Sequence, residues 1–362
     1  MATFAALLGC ALASFLTALV AIAALRPLAG VVDLIDRPKG HKAHEGEVPV
    51  IGGLAMLLGL LVGVGVTPAE YQPGFSFAAA CSILIIVGLV DDRFDISPWA
   101  RLPVHAAAAL FALKGAGLMV TQLGDPFGTG IVVLEPVWSH ALTLLLIMGA
   151  INAFNMLDGM DGLAGATALV GFGLFAFTSS ADGLGAMTFL SLIGIGVVAA
   201  FLVFNVPALY NRSFRCFMGD AGSTLLGFVL AWLCIAVSQD PRSSLGPVAV
   251  LWFVAMPIYE LVWTMLRRLS RGRSPFRPDR EHFHHLLQSA GFSVRGAFGV
   301  YVTLCVLIGV TGLVLAEVFE VSDALMFGAF HLVGVGIVML MYRASILRRF
   351  VPAGFLQAPS EG

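Results

Sequence analysis

Long apolar runs are the feature that most constrains this chain of 362 residues. A helix needs about 20 apolar residues to cross the hydrocarbon core of a membrane, where a helix satisfies its own backbone hydrogen bonds. The sequence therefore predicts eleven transmembrane helices. They cover residues 3–25, 50–67, 73–90, 102–121, 138–155, 163–180, 184–204, 222–239, 246–266, 297–316 and 324–342.

The composition excludes an ordinary soluble protein. Hydrophobic residues make up 59% of the chain, charged residues only 12%, and the mean hydropathy is +0.94, whereas charged residues approach a quarter of a typical soluble domain. The net charge of −2 gives no general attraction to a polyanion, so no nucleic acid is expected as a partner. The expected fold class is an all-α polytopic integral membrane protein.

The basic residues predict the orientation of these helices. Cytoplasmic loops retain lysine and arginine, whereas translocated loops do not. With eleven spans, eighteen basic residues fall on one side, and only Lys114 and Arg242 fall on the other. This predicts an N-terminus outside and a C-terminus in the cytoplasm. No basic residue precedes the first run, which is therefore interpreted as an uncleaved span and not as a signal peptide.

No segment between the spans is long enough to form a separate soluble domain. We therefore expect one transmembrane domain over 1–342 and a cytoplasmic tail over 343–362. The polar residues that could carry chemistry fall in the cytoplasmic loops. These loops are predicted at 26–49, 91–101, 155–162, 205–221 and 267–296.

Two of these loops place charged residues directly beside a span. The first contains Lys42 and His44 and, considered alone, is more typical of a basic loop that sets topology and touches anionic lipid. The second contains Asp91 and Asp92, directly after the third span. Adjacent carboxylates repel each other and gain most from a shared divalent cation or proton. A solvated acidic loop end is an equally good interpretation of this second motif alone.

Oxygen-bearing side chains cluster at two further helix ends. Asn155, Asp158 and Asp161 lie within eleven residues that hold two amides, two carboxylates and two glycines, which is more than a turn requires. Asp220 lies at the start of the eighth span, where it could serve only as a helix cap. Carboxylate oxygens of this kind suit Mg²⁺, and a helix start offers free N–H groups to a phosphate.

The loop at 267–296 combines seven arginines with His282, His284 and His285. A His-x-His-His sequence could bind zinc, but the surrounding arginines favour an anionic ligand over a cation. A loop that binds lipid headgroups would explain the arginines and leave the histidines without a role. We therefore expect an exposed basic loop whose histidines contact a diphosphate.

These motifs, in their order, spacing and membrane side, resemble the polyprenyl-phosphate N-acetylhexosamine-1-phosphate transferase family. The resemblance is carried by Asp91-Asp92, by Asn155 to Leu163, by Phe217 to Asp220 and by His282 to His285. It extends over nearly the whole chain. Within the family, Ser274 to Arg280 followed by the histidines resembles the bacterial undecaprenyl-phosphate GlcNAc-1-phosphate transferase branch.

The resemblance implies that the phosphate of undecaprenyl phosphate attacks the β-phosphorus of UDP-GlcNAc and that UMP leaves. It implies Mg²⁺ as the cofactor, with Mn²⁺ as the alternative. Whether the catalytic pair acts as a base, positions the acceptor or forms a covalent bond stays open. The implied site residues are Asn155 and Asp220 for the metal, Asp91 and Asp92 for the catalytic pair, Asp161 with its neighbour Asp158 for uracil, and Lys42, His44, His282, His284 and His285 for the diphosphate.

The resemblance also implies a bacterial inner (cytoplasmic) membrane protein that contacts membrane lipids and has its active site on the cytoplasmic face. The donor could be another UDP-N-acetylhexosamine, including UDP-MurNAc-pentapeptide, and a homodimer is left open. A secondary transporter is the rival class. The functional charges of a transporter would lie in the middle of spans. Here the carboxylates and histidines cluster at one face of the membrane, and the exception is Glu260, which lies inside a span and receives no role.

Overall fold

The computed structural model describes residues 4–37, 46–206, 214–274, 281–343 and 356. These residues are almost entirely helical, apart from a two-stranded antiparallel sheet of β1 (Ile35–Asp36) and β2 (Val48–Pro49). The α-helices are α1 (Phe4–Ala29), α2 (Gly52–Val66), α3 (Phe75–Phe94), α4 (Pro98–Leu110), α5 (Pro136–Leu157), α6 (Leu163–Ala181), α7 (Gly185–Asn205), α8 (Gly219–Ser238), α9 (Pro247–Leu251), α10 (Ala255–Ser270), α11 (Phe283–Ser289), α12 (Val294–Glu317) and α13 (Asp323–Tyr342).

These helices confirm the all-α polytopic membrane class. Each of the eleven apolar runs forms helix, and nine helical segments within the described residues are long and apolar enough to cross a membrane. The other two runs form shorter helices, α2 with 15 residues and α4 with 13 residues. The chain is therefore a multi-pass membrane protein, while the count of eleven spans and their orientation remain predictions.

Two of the predicted spans are not regular α-helices. After α4 the chain continues as a π-helical turn over Phe111–Gly115, which contains Lys114. The ninth run forms α9, a 3-10 turn at Trp252–Val254, and then α10. Pro257, in the first turn of α10, lacks an N–H group and cannot donate to the carbonyl four residues earlier, which falls in the 3-10 turn.

Helix α8 lies at the centre of the bundle, and α1, α12 and α13 lie at its periphery. Of the most apolar stretch of each helix, 89% is buried in α8 but only 28% in α1 and in α12, and 22% in α13. Apolar side chains on the peripheral helices need not be covered by protein, because lipid tails are as apolar as they are. The buried apolar side chains of the bundle form one contiguous cluster.

The segment that follows the short sheet pairs with the segment before α8. Val50 pairs with Phe217 in a parallel bridge. The N–H groups of Gly52 and Gly53 donate to the carbonyls of Phe217 (2.9 Å) and Met218 (3.1 Å). A side chain at Gly53 would not fit, because a Cβ there would lie 2.4 Å from a backbone nitrogen of α8. These contacts fix the segment from which α8 begins.

Candidate active site

The start of α8 is held by a carboxylate from the end of α3. The backbone N–H of Asp220 donates to Asp92 Oδ1 (2.7 Å), and the N–H of Ala221 donates to Asp92 Oδ2 (3.4 Å). The first N–H groups of a helix have no partner inside the helix and carry partial positive charge, so a carboxylate is stabilised there. Asp92 therefore joins the Asp91-Asp92 motif to the motif that contains Asp220.

Arg101, on α4, connects two acidic residues of the same region. Its Nη1 donates to Asp91 Oδ2 and, at 2.8 Å, to Asp220 Oδ2. The Asp91 side chain is 3% exposed and the Asp220 side chain 34% exposed. A buried carboxylate is costly unless it is paired, and Arg101 provides that pairing for Asp91. It leaves part of the Asp220 carboxylate accessible to solvent.

Asn155, near the end of α5, contacts the same carboxylate. Its Nδ2 donates to Asp220 Oδ1 and to Ser223 Oγ (3.2 Å). The structure thus brings together the two residues for which the sequence predicts metal binding, although 65 positions separate them in the chain.

Asp158 adds negative charge to this region. Burial, and then the charges of Asp220, Asp92 and Asp161, raise the pKa of Asp158 well above its ordinary value. After burial, the neighbouring carboxylates are therefore the second cause of this raised pKa. We call this group the carboxylate centre. It consists of Asp91, Asp92, Arg101, Asn155, Asp158 and Asp220.

The oxygen atoms of the carboxylate centre fit a hard divalent cation. Mg²⁺ takes one or two protein carboxylates and completes its shell with water and substrate phosphates. Within the described residues, no group of three or more histidine, cysteine, aspartate or glutamate side chains is arranged to hold a metal by itself. A bound cation would neutralise the negative charge that raises the pKa of Asp158.

Asp161 pairs with an arginine from the segment before α8. Arg215 Nη2 donates to Asp161 Oδ2. Close by, Asn205 accepts a hydrogen bond from the Gly162 N–H (2.5 Å) and donates to the Cys216 carbonyl (2.8 Å). These polar contacts hold the segment after α5 beside the segment before α8.

The three histidines do not lie in an exposed loop, so this prediction from the sequence was wrong. His282 and His284 are buried, and His285 is partly exposed. The reason is that Phe283 and Leu287, on the same short helix as His284 and His285, are fully buried in the apolar core. We call residues 281–289 the histidine segment.

The rings of the histidine segment pack against one another. Those of His282 and His284 stack with centroids 5.9 Å apart and an angle of 7° between their planes, and those of His284 and His285 have centroids 4.2 Å apart. Burial lowers the pKa of His284 to about 4, although Glu260 acts in the opposite direction. His284 is therefore uncharged at neutral pH, and a neutral imidazole offers one hydrogen-bond donor and one acceptor.

The histidine segment adjoins the loop after α5 at Gly159. A Cβ at Gly159 would lie 2.7 Å from His284 Nε2, so a larger residue could not allow this approach. Gln288 Nε2 also donates to Met160 Sδ (3.5 Å). The loop that follows Asn155 is therefore contacted by the histidine segment, while Asn155 itself belongs to the carboxylate centre.

Nine of the eleven residues predicted for the site lie within the described residues. The structure places five of them in the carboxylate centre, pairs Asp161 with Arg215, and places three in the histidine segment. Lys42 and His44 lie outside the described residues.

Sequence reasoning missed Arg101 and Glu260 as parts of this region. Arg101 contributed only to the count of basic residues, although it follows Asp92 by nine positions in the same predicted loop. The signal for Glu260 was present as a single charge inside an apolar run. What the sequence did not contain was the identity of the groups that Glu260 contacts.

A small cavity lies between α3, α4 and α8, beside the carboxylate centre. Its volume is only about 10 Å³, which is room for about one water molecule. Most of its walls are apolar, and Arg101 and Asp220 also line it. The remaining lining residues are Leu84, Val87, Gly88, Val104, His105 and Thr224. Apolar walls beside an arginine fit an amphiphilic ligand with an anionic head group.

Comparison with known proteins identifies the family. Residues 75–238, from the start of α3 to the end of α8, match glycosyl transferase family 4. The undecaprenyl-phosphate alpha-N-acetylglucosaminyl 1-phosphate transferase of Yersinia pestis is 36% identical over 344 residues, which is 95% of this chain and 92% of the relative. Proteins of the same name from Escherichia coli (strain K12) and Pasteurella multocida (strain Pm70) are 38% and 34% identical, over 81% and 92% of this chain and 79% and 92% of the relatives.

The fold and the donor set of the site are those of an integral membrane enzyme that acts on phosphate groups. The chain belongs to glycosyl transferase family 4, a family of phosphoglycosyltransferases that generally depend on a divalent metal, and it is a transferase.

Proposed function

We propose that this enzyme transfers GlcNAc-1-phosphate from UDP-GlcNAc to undecaprenyl phosphate. A phosphate oxygen of the acceptor forms a bond to the β-phosphorus of the donor, and the bond from that phosphorus to the oxygen of UMP breaks. The products are undecaprenyl-diphosphate-GlcNAc and UMP, and this step would initiate a lipid-linked cell-envelope glycan. The names of relatives that align with most of the chain support this donor and this acceptor.

The observation that carries the proposal is the convergence of four helices on Asp220. Its side chain contacts Asn155 and Arg101, and its backbone N–H contacts Asp92. Phosphoryl transfer requires positioning of the two phosphates and neutralisation of charge on their oxygens. A partly exposed carboxylate that two side chains hold, on a backbone that a third fixes, provides a defined site for both tasks.

We assign metal binding to Asn155 and Asp220, with Mg²⁺ as the ion and Mn²⁺ as the alternative. When bound, the cation neutralises charge on the donor diphosphate. Arg101 holds the Asp220 carboxylate in one orientation. We assign diphosphate contacts to His282, His284 and His285 and also to Lys42 and His44, and a uracil contact to Asp161 and its neighbour Asp158.

We assign Asp91 and Asp92 to positioning and not to proton abstraction. Asp91 is occupied by Arg101, and Asp92 accepts hydrogen bonds from the start of α8. A phosphate monoester has a second pKa of about 6, so the acceptor is already mostly a dianion at pH 7. A general base would therefore add little to the rate.

The cavity between α3, α4 and α8 supports a lipid acceptor. The space is too small for a prenyl chain, so only the phosphate end of the acceptor would reach it, where Arg101 would attract the phosphate. The same arginine contacts Asp220. The acceptor phosphate would thus approach the carboxylate centre from the side of the membrane.

Release of UMP tests the proposed reaction directly. The purified enzyme is incubated with undecaprenyl phosphate, Mg²⁺ and one donor at a time from UDP-GlcNAc, UDP-GalNAc, UDP-glucose and UDP-MurNAc-pentapeptide. We expect UMP and a lipid diphosphate product with UDP-GlcNAc. Release of UDP in place of UMP would contradict transfer of a sugar phosphate, and product only with another donor would contradict the choice of sugar.

We place the carboxylate centre and the histidine segment on the cytoplasmic face of the bacterial inner membrane, within one domain over 1–342. The support is the distribution of eighteen basic residues against two. Cysteines introduced at the exposed residues Thr129 and Arg273 should react from opposite sides. On intact spheroplasts an impermeant maleimide should label Thr129→Cys and spare Arg273→Cys. Labelling of both variants would contradict this orientation.

A further inference from the structure

Glu260 is a carboxylate inside the apolar run that forms α9 and α10. It is only 1% exposed and lies ten residues before the end of α10. A charged side chain inside a membrane helix is costly, and it is typically retained because it has a partner or a function. Its partners lie outside α10.

Groups from two other segments meet at this carboxylate. The Phe283 N–H donates to Glu260 Oε1 (3.1 Å), and His282 Nδ1 lies 3.2 Å from the same oxygen. Tyr301 Oη, on α12, donates to Oε2 (2.9 Å). Both oxygens of Glu260 are therefore engaged, and one of them fixes the first residues of the histidine segment.

A second contact attaches the histidine segment to α10. Arg267, which lies two turns beyond Glu260 and is buried, donates from Nη1 to the Glu281 carbonyl (2.7 Å). The Glu281 side chain also pairs with Arg271 (2.7 Å). Since this second attachment does not involve the Glu260 carboxylate, loss of that carboxylate would release His282 without detaching the whole segment.

Contacts continue from His282 to the loop beside the carboxylate centre. The His282 ring stacks on the His284 ring, and His284 lies against Gly159. A change in the orientation of the His282 ring would therefore be transmitted through His284 to the loop that follows Asn155. Glu260 itself does not extend into this loop.

We propose that Glu260 is a positioning residue that orients His282 toward the donor diphosphate. The inference rests on the proposed function, because it takes the diphosphate of a nucleotide sugar as the ligand of His282. A carboxylate beside one imidazole nitrogen keeps a proton on that nitrogen and fixes the ring, so the other nitrogen is presented in a single orientation. Tyr301 and the Phe283 N–H hold the carboxylate for this task.

Kinetics of Glu260→Gln separate orientation of His282 from support of the fold. The variant keeps the shape: its amide oxygen can still accept from the Phe283 N–H, and its amide NH2 can donate to the Tyr301 hydroxyl, but it loses the charge beside His282. We expect kcat for UMP release to fall about 10- to 100-fold, as is typical when a partner of a functional histidine is removed. The KM for UDP-GlcNAc should change less than about threefold, because in this proposal the contact serves turnover more than binding.

A double-mutant cycle tests whether Glu260 acts through His282. If it does, Glu260→Gln should lower kcat in the wild-type background and have almost no effect in a His282→Gln background. Equal losses in both backgrounds, or kcat within threefold of wild type for Glu260→Gln, would overturn the proposal. If Glu260→Gln does not accumulate in the membrane, Glu260→Asp enters the same cycle with the same expected non-additivity.

Tyr259→Phe is the matched control. Tyr259 is a buried neighbour of Glu260 on α10, but its hydroxyl donates to the Phe330 carbonyl on α13 and not to the histidine segment. Removing this hydroxyl should leave kcat unchanged, and an equal loss of kcat would show that any disturbance of α10 has the same effect. The wild-type enzyme in the same assay tests the proposed function, while the ratios between variants test Glu260.

Discussion

The carboxylate centre and the histidine segment both reach the loop after α5, but they are built differently. The carboxylate centre consists of side chains at or near the ends of long helices, and its Asp220 side chain is 34% exposed. The histidine segment is a short helix whose His284 is completely buried. It is held by Glu260 from inside the bundle.

The two regions also differ in charge. In the carboxylate centre, surrounding negative charge adds to the effect of burial in raising the pKa of Asp158. In the histidine segment, burial lowers the pKa of His284 and leaves an uncharged ring. The first region is suited to a cation, and the second to hydrogen bonds with an anion. Changes in the first should therefore alter the dependence on metal, whereas changes in the second should not.

Asp220→Asn should have the largest effect. It keeps the shape of the side chain and removes the charge that a divalent cation requires, so we expect kcat to fall about 10²- to 10³-fold. The concentration of Mg²⁺ that gives half of the maximal rate should rise as well. The measurement is UMP release as a function of Mg²⁺ concentration.

Asp95→Asn is the control for this change. Asp95 is an exposed carboxylate directly after α3, the helix that carries Asp91 and Asp92, and it has a left-handed backbone conformation, which asparagine tolerates. It should leave both the rate and the Mg²⁺ dependence unchanged. An unaltered Mg²⁺ dependence in Asp220→Asn would show that Asp220 is only part of the helix start.

His284→Leu should have the next largest effect, and it should change activity without changing stability. A hydrogen bond to a charged group contributes about 1.5–3 kcal/mol, which corresponds to a loss in rate of about 10- to 150-fold. The buried nitrogens of His284 have no partner among the described residues, so their removal should cost little free energy of unfolding. UMP release and thermal unfolding in detergent measure the two quantities.

Two outcomes would contradict the proposed difference between the carboxylate centre and the histidine segment. A change in the Mg²⁺ dependence of His284→Leu would make His284 part of the metal environment. A large fall in its unfolding temperature, with kcat preserved, would make the ring a packing element.

Arg101→Gln should have a smaller effect on the rate and the opposite effect on the metal. It removes the cation that contacts both Asp91 and Asp220. We expect kcat to fall roughly tenfold, by analogy with the loss of one charged hydrogen bond. The Mg²⁺ concentration that gives half of the maximal rate should fall, because the Asp220 carboxylate is no longer paired with the Arg101 guanidinium. Arg93→Gln, at an exposed arginine near the end of α3, is the control. Half-saturation of Arg101→Gln at a higher Mg²⁺ concentration than wild type would contradict this role.

The last prediction concerns the dependence of the free energy of unfolding on pH. The pKa of His284 falls from 6.5 to about 4 in the folded protein, so its neutral form is favoured by folding. Above about pH 6.5 this shift costs the folded protein nothing, and as the pH falls toward 4 it opposes folding by a total on the order of 3 kcal/mol, because the buried ring resists protonation. The raised pKa of Asp158 acts in the opposite direction.

A comparison of wild type with His284→Leu at each pH therefore isolates the histidine. The two proteins should unfold at similar temperatures above pH 6.5, and wild type should become the less stable of the two as the pH falls toward 4. A difference that is constant over this range would show that His284 does not titrate with the expected shift.

The helices and the carboxylate centre were largely predictable from the sequence. Each apolar run became helix, because a segment of that length and composition has few alternatives in a membrane. Asp92, Asn155 and Asp220 lie at or near helix ends, and helix ends of a bundle meet at its polar face. That Asn155 and Asp220 lie on the same face of the bundle therefore follows from the predicted spans, although their contact does not.

The burial of the histidine segment and the bridging by Arg101 were decided only by the tertiary structure. Local sequence around His284 is basic and indicates exposure, but Phe283 and Leu287 find apolar partners in the core, and Glu260, 23 positions from Phe283, accepts its N–H. Arg101 reaches Asp220 across 119 positions. Such pairings depend on how helices pack, and the sequence determines each helix before it determines which side chains of different helices meet.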